Sequence, residues 1–239
     1  MSRTTEWLSQ GPSEKPPVQA ATVILVRDGA EGLEALMLRR NSKIAFGGMW
    51  VFPGGSVDEA DRADLAPGDE LGAARRTAVR EAAEEAGLAV EPEGLVAFSH
   101  WTPPAIAPRI FLTWFFIAPA PSGHVAIDRG EIHDHAWMRP AEALRRRDAG
   151  EIELAPPTFV TLADLARAES VERALATARA RTPERYRTRI AKGDGGMVAL
   201  WHGDAGYESG DASAPGARHR LAMLDSGWVF ERSAWSVGA

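Results

Sequence analysis

Arg80-Glu81-Ala82-Ala83-Glu84-Glu85-Ala86-Gly87-Leu88 is the stretch on which the reading of this chain turns. Its spacing predicts a helix. Glu84 and Glu85 follow Glu81 by three and four positions, so the three carboxylates share one face. Val79, Ala82, Ala83 and Ala86 share the opposite face, as a stripe packed on a core would. Gly87 is a natural stop, because glycine takes the left-handed conformation that closes a helix. Crowded acids repel one another unless a cation neutralises them, and a hard divalent ion such as Mg²⁺ does so through oxygen ligands. Arg80, four positions before Glu84, can pair with that acid and fix its orientation. Taken alone, the glutamates would also suit a solvated acidic helix face.

The stretch upstream, Val51-Phe52-Pro53-Gly54-Gly55, decides between these readings. The two together resemble the nudix box, the signature of hydrolases that cleave nucleoside diphosphates linked to another group. The second half of that pattern, Arg-Glu-apolar-x-Glu-Glu-x-Gly-apolar, is complete in residues 80–88. The first half departs from it. Arg80 lies 25 residues after Gly55, which is 11 more than the family spacing. The early glutamate has no clear counterpart, and Asp58, Asp61 or Glu70 could stand in for it.

The resemblance implies an α/β fold, the nudix α/β/α sandwich with a mixed sheet between helices. It implies hydrolysis of a diphosphate linkage with bound Mg²⁺ or Mn²⁺. Glu84 and Glu85 would be metal ligands, Glu81 a ligand or a base toward water, and Arg80 the group that orients them. Gly54 and Gly55 would shape the loop against the substrate. Glu131, an acid opening the last strand of the core, would be a further ligand or base.

A narrower resemblance rests on Phe52 to Asp61, on Ser99-His100-Trp101-Thr102-Pro103, and on Pro156-Pro157-Thr158 with Thr161-Leu162 and Leu165. These are similar to the nudix motif 19 subgroup, which holds the peroxisomal coenzyme A diphosphatase. The implied substrate is coenzyme A or an acyl-coenzyme A, with ADP-ribose or NAD(H) as the alternative. The strand after Arg109 reads Ile-Phe-Leu-Thr where the subgroup has Phe-Asp-Thr, one residue longer and without the acid. The upstream run Leu36-Met37-Leu38-Arg39-Arg40-Asn41-Ser42 matches the subgroup only in part. Trp101 could stack on a base. Arg39, Arg40, Lys43 and Arg109 lie in segments that could face the site, and Arg suits phosphate. Packing would equally explain Trp101, and a surface position would equally explain Arg109.

Composition sets outer bounds. The 239 residues are 45% hydrophobic and 25% charged, ordinary for a soluble globular protein. A net charge of −6 argues against a surface that coats nucleic acid. The absence of cysteine excludes disulfides and Cys-based zinc sites, and is compatible with a cytoplasmic protein. His133 and His135 flank Asp134 without a third converging ligand, so they read as ordinary strand residues. Met1 to Pro17 lacks the apolar core of a signal peptide. The apolar run Ile110 to Ala118 is too short to span a bilayer.

Along the chain, residues 1–18 read as a flexible lead-in, 19–181 as the nudix domain and 182–239 as a β-rich extension. Gln19 to Val26 and Leu33 to Arg39 read as a hairpin, Met49 to Phe52 as a short strand, and Pro53-Gly54-Gly55 as a turn. Ser56 to Gly68 reads mainly as a solvated acidic loop. The acidic helix should run from an Asp69 cap to Ala86. Gly94 to Trp101 and Arg109 to Ala118 read as strands, the second central. Pro140 suits the first turn of a helix. Thr158 and Ser170 are candidate caps for two more. Met197 to Trp201 reads as a strand, and Arg218 to Met223 with Trp228 to Glu231 as a hairpin. The extension should pack on the core or across a homodimer, because exposed apolar strands need a partner surface. A nudix-fold sensor that binds a nucleotide without cleaving it is a competing class. A scaffold that dimerises through the extension is another.

Overall fold

The computed structural model describes residues 7, 10–12, 14–41, 47–128, 130–224 and 226–233. Lys43, Asp225 and most of the first nine residues lie outside the described set. Strands β1 (Val18–Gly29) and β2 (Gly32–Arg40) form the expected hairpin, closing at Gly29 and Gly32. In β1 the run Val23-Ile24-Leu25-Val26 is wholly buried, which means that the sheet is covered on both faces. β3 (Trp50–Val51) pairs with β2. β4 (Gly54–Ser56) pairs with the first part of β1, at Ala20 to Thr22. Gly54 and Gly55 are thus in a strand and not a free turn. The sheet leaves no room for side chains there, since a Cβ on Gly54 would collide with the Ala21 carbonyl oxygen.

Helix α1 (Glu59–Arg62) lies within the long insertion. Helix α2 (Glu70–Ala86) starts where the sequence places it. The Asp69 side chain accepts from Gly72 N–H, and Gly87 closes the helix with φ 67°. β5 (Val96–Thr102), β6 (Phe111–Pro119) and β7 (Ile132–Met138) complete the core strands. Helices α3 (Pro140–Asp148), α4 (Pro156–Leu165) and α5 (Val171–Arg179) follow. Pro140 and Ser170 serve as expected, at the first turn of α3 and as the cap of α5. The α4 cap is Ala155, not Thr158, which is buried inside the helix. Pro156 and Pro157 fill the first two helical positions, where the missing N–H groups cost nothing.

The extension contributes β8 (Glu184–Arg187), β9 (Arg189–Gly193), β10 (Gly196–Leu200), β11 (His219–Leu224) and β12 (Gly227–Arg232). The large sheet runs β3-β2-β1-β6-β5-β8, with β4 also on β1 and β7 also on β2. β1·β6 and β5·β8 are parallel and the other pairs antiparallel, so the sheet is mixed and β6 is central. β9 to β12 form a second, antiparallel sheet.

One face of the large sheet packs Val23, Leu25, Leu36 and Phe116 on the alanine stripe Ala74, Ala78, Ala82 and Ala86 of α2. Small side chains let that helix approach closely. The other face buries Ile24, Phe115 and Ile117 with Phe159 and Leu162 of α4, Leu175 of α5, and Trp201, Leu221 and Trp228 of the extension. The result is an α/β/α sandwich whose second helical layer also holds the small sheet. Among the described residues, no helix is long and apolar enough to cross a membrane.

Candidate active site

The cap at Asp69 and the stop at Gly87 set the rotation of α2. Ala74, Ala78, Ala82 and Ala86 face the sheet, Ala83 is exposed, and Glu81, Glu84 and Glu85 come out beside β4. Gly54 N–H donates to Glu85 Oε2 at 2.9 Å. A Cβ on Gly55 would collide with Glu81 Oε1, so the second glycine admits that carboxylate. Pro53 O accepts from Val23 N–H at 2.9 Å and locks the entry to β4.

Arg80 organises the acids. Its Nη1 donates to Glu81 Oε1 at 2.8 Å and Glu84 Oε2 at 3.0 Å. Its Nη2 donates to Ser56 O and Asp61 Oδ2, each at 3.0 Å, and its Nε to Asp61 Oδ1 at 3.3 Å. Asp61 is 5% exposed, which corrects the reading of the insertion as a solvated loop for this residue. Thr77 Oγ1 and the Asp58 N–H also donate to it. Burial would raise the Asp61 carboxyl, but the hydrogen bonds from Arg80, Asp58 and Thr77 outweigh it and hold the group below its ordinary range. The same pairing with Asp61 raises Arg80. Of the three acids that could fill the early position, Asp61 grips Arg80 and Asp58 stands 3.7 Å from it. Glu70 instead accepts from Gln19 on the exposed start of α2.

The carboxylates outnumber their cations. Burial raises Glu81, which Arg80 opposes and its neighbours Glu84 and Glu131 reinforce. Burial pushes the Glu85 carboxyl up to about 7, against its bond to Gly54 and the nearby Arg40. Arg40 Nη2 pairs with Glu131 Oε2 at 3.0 Å. Glu81, Glu84 and Glu85 each have one oxygen engaged by a protein donor. This all-oxygen, charge-crowded set suits a hard divalent cation. Among the described residues, no three acidic or histidine side chains form a closed metal cage. Arg80 draws Glu81 and Glu84 to itself, so an ion would compete with the guanidinium for them.

These groups line one part of a cavity of about 690 Å³. Gly54, Gly55, Arg40, Glu131 and Trp101 also line it, as does Trp7. Arg39 and Arg109 do not. Successive strand residues face opposite sides, and Arg39 is exposed next to Arg40. Trp101 is buried, with one ring face stacked on Tyr186 at 3.8 Å between centroids. That face is closed to a base. His100, in the same motif, packs on Trp114, and burial first, then Arg185 and Arg187, lowers it to about 4.

Sequence reasoning did not single out the residues that the extension brings to this cavity, Thr188, Ile190, Ala199 and Met223 among them. Apolar alternation marks strands there but does not say which cavity they meet.

The NUDIX domain family model matches residues 16–158. No curated protein matches the chain. Similar solved structures include a nudix hydrolase from Alicyclobacillus acidocaldarius, at 24% identity and TM-score 0.61, covering 69% of this chain and 97% of that one. A MutT nudix hydrolase from Burkholderia pseudomallei aligns at 22% identity and TM-score 0.47, covering 62% and 98%. The nudix domain of Shewanella oneidensis NrtR, solved with ADP ribose, aligns at 22% and 0.47, covering 68% and 96%. The family model spans more than half of the chain and takes in both halves of the motif, and the chain therefore belongs to the nudix family, hydrolases of pyrophosphate bonds.

Proposed function

We propose that the chain hydrolyses the diphosphate of a nucleoside diphosphate joined to a second, bulky group, with coenzyme A or an acyl-coenzyme A as the substrate. The observation that carries this is the excess of carboxylate over arginine beside Gly54-Gly55, at one end of a large and mostly apolar cavity. Glu84 and Glu85 would hold Mg²⁺ or Mn²⁺. The ion, when bound, neutralises phosphate charge and lowers the pKa of an attacking water. Glu81 lies against Gly55 as a further ligand or as a base, with Arg80 fixing its orientation. Glu131, held by Arg40, is a further acid within the same cavity.

One observation favours ADP-ribose or NAD(H) instead. Coenzyme A carries a 3′-phosphate that asks for its own cation. The cations among the described lining residues, Arg40 and Arg80, are both paired with carboxylates. The test compares catalytic efficiency on coenzyme A, 3′-dephospho-coenzyme A, ADP-ribose and NADH with Mg²⁺ or Mn²⁺, and identifies the products. Coenzyme A should lead, and loss of its 3′-phosphate should lower efficiency. A clear preference for ADP-ribose or NADH would reject this substrate and leave the reaction standing.

A further inference from the structure

The cavity is divided by polarity. Its floor follows one end of the large sheet in the order β4, β1, β6, β5. At about 4.8 Å per strand step, this is about 14 Å from the glycine strand to β5, and the extension begins beyond it. The charged lining residues all belong to the glycine end. Arg80 joins Asp58, Glu81 and Glu84, Arg40 joins Glu131, and Asp128 N–H bonds to the Glu85 carbonyl. The far wall is the extension's own: Thr188, Ile190, Ala199, Trp201 and Met223. Its one side-chain hydrogen bond is internal, with Trp201 Nε1 donating to Thr188 Oγ1 at 3.1 Å, and the Thr188 hydroxyl keeps a single donor of its own. Its aromatic rings are turned on one another. Trp101 stacks on Tyr186, and Trp201 meets both rings edge-on. What remains for a ligand is aliphatic, with a methionine that adapts to irregular shapes. The family match ends at residue 158, before this wall begins.

We propose that the C-terminal extension is the specificity wall of the site, and that it takes an apolar acyl-type group carried by the substrate about 15 to 20 Å from the diphosphate. A nucleobase is not its ligand, because the aromatic rings there are buried against one another and the side chains offer a single hydroxyl donor where a base edge presents several polar groups. The proposal rests on the nudix reading for the chemistry at the other end.

Octanoyl-pantetheine, which has neither diphosphate nor nucleoside, tests the wall apart from the reaction. It should bind the full chain and perturb tryptophan fluorescence. Met223→Trp, which fills the space, should weaken that binding at least about tenfold, the low end of the scale for one methylene in an apolar pocket. The same variant should lower kcat/KM on octanoyl-coenzyme A by a similar factor and on ADP-ribose by less than about twofold. Met223→Ala should shift the preferred acyl length upward. Ile190→Trp serves in place of Met223→Trp if the latter melts early. No binding of octanoyl-pantetheine to the wild-type chain overturns the proposal, and so does an equal loss on octanoyl-coenzyme A and ADP-ribose. Binding that Met223→Trp abolishes, in a protein that cleaves no diphosphate, supports the wall and sinks the proposed reaction.

Discussion

Two of the arginine–carboxylate clusters among the described residues differ in count. In the extension, Arg220 meets one acid. Its Nη2 and Nε donate to Asp204 Oδ1 and Oδ2 at 2.6 and 2.7 Å. Gly206 and His219 N–H groups complete the carboxylate at 2.8 Å each. Both side chains are buried and the charges cancel. On α2, Arg80 meets Asp61, Glu81 and Glu84, with Glu85 and Glu131 close by. That cluster has negative charge left over and opens into a cavity. A matched buried pair holds structure, whereas an unmatched one beside a cavity is a place for a cation.

Removing the region that holds the matched pair should have the largest effect. Deletion of 182–239 strips β8 from β5 and takes Trp201, Leu221 and Trp228 out of the core. The truncated chain should lose its cooperative thermal transition, and unchanged melting and activity would refute this packing. Next, Asp204→Asn leaves Arg220 buried without a counter-charge and should cost about 3 to 5 kcal/mol in denaturant unfolding. The corresponding change at the unmatched cluster should behave differently. Glu84→Gln and Glu85→Gln should each lower kcat more than about 100-fold, beyond the usual loss of a supporting group. Their melting temperatures should hold, since Glu84 is exposed and an amide in place of Glu85 still accepts from Gly54 N–H. Near-normal rates in both variants at saturating Mg²⁺ would sink the ligand assignment.

Acid should also separate the clusters. Burial would raise Asp204, but Arg220 and the backbone donors overcome this and hold its pKa at about 2, against 3.8 for the free group. The unfolded chain therefore takes the proton first. The stability from this carboxylate is complete above the unfolded value and lost as pH falls from about 4 through 2. It amounts to about 2 kcal/mol. Asp204→Asn should flatten that part of the stability curve, and an unchanged acid slope would show the pair to be inert. The smallest effect belongs to Gly55→Ala. Its methyl must displace Glu81, and kcat should fall about tenfold, about 1.4 kcal/mol in the barrier, with KM little moved.

What the sequence disclosed was local. The α2 boundaries follow from Asp69 and Gly87, and the acidic face from a three-and-four spacing. The signals that failed depend on distant chain. Asp61 is one of three acids that could fill the early position, and only the fold, which brings it back to Arg80 19 residues on, singles it out. Gly54 and Gly55 have low strand propensity, yet pairing with β1 makes them a strand. Glu184-Arg185-Tyr186-Arg187 carries too much charge to announce a strand, but the open edge of β5 recruits it. Lys43, offered as a phosphate contact, lies outside the described residues.

The parallel pairing of β5 with β8 also has a consequence in time. β5 ends at Thr102 and its partner begins at Glu184, so roughly 80 residues are translated between them. At about 5 to 20 residues per second, the β5 edge stays open for about 4 to 16 s on the ribosome. An open edge is a template for pairing with another chain. The extension therefore ends a period of exposure during synthesis, and crowded expression without a holding chaperone should favour aggregation at that edge.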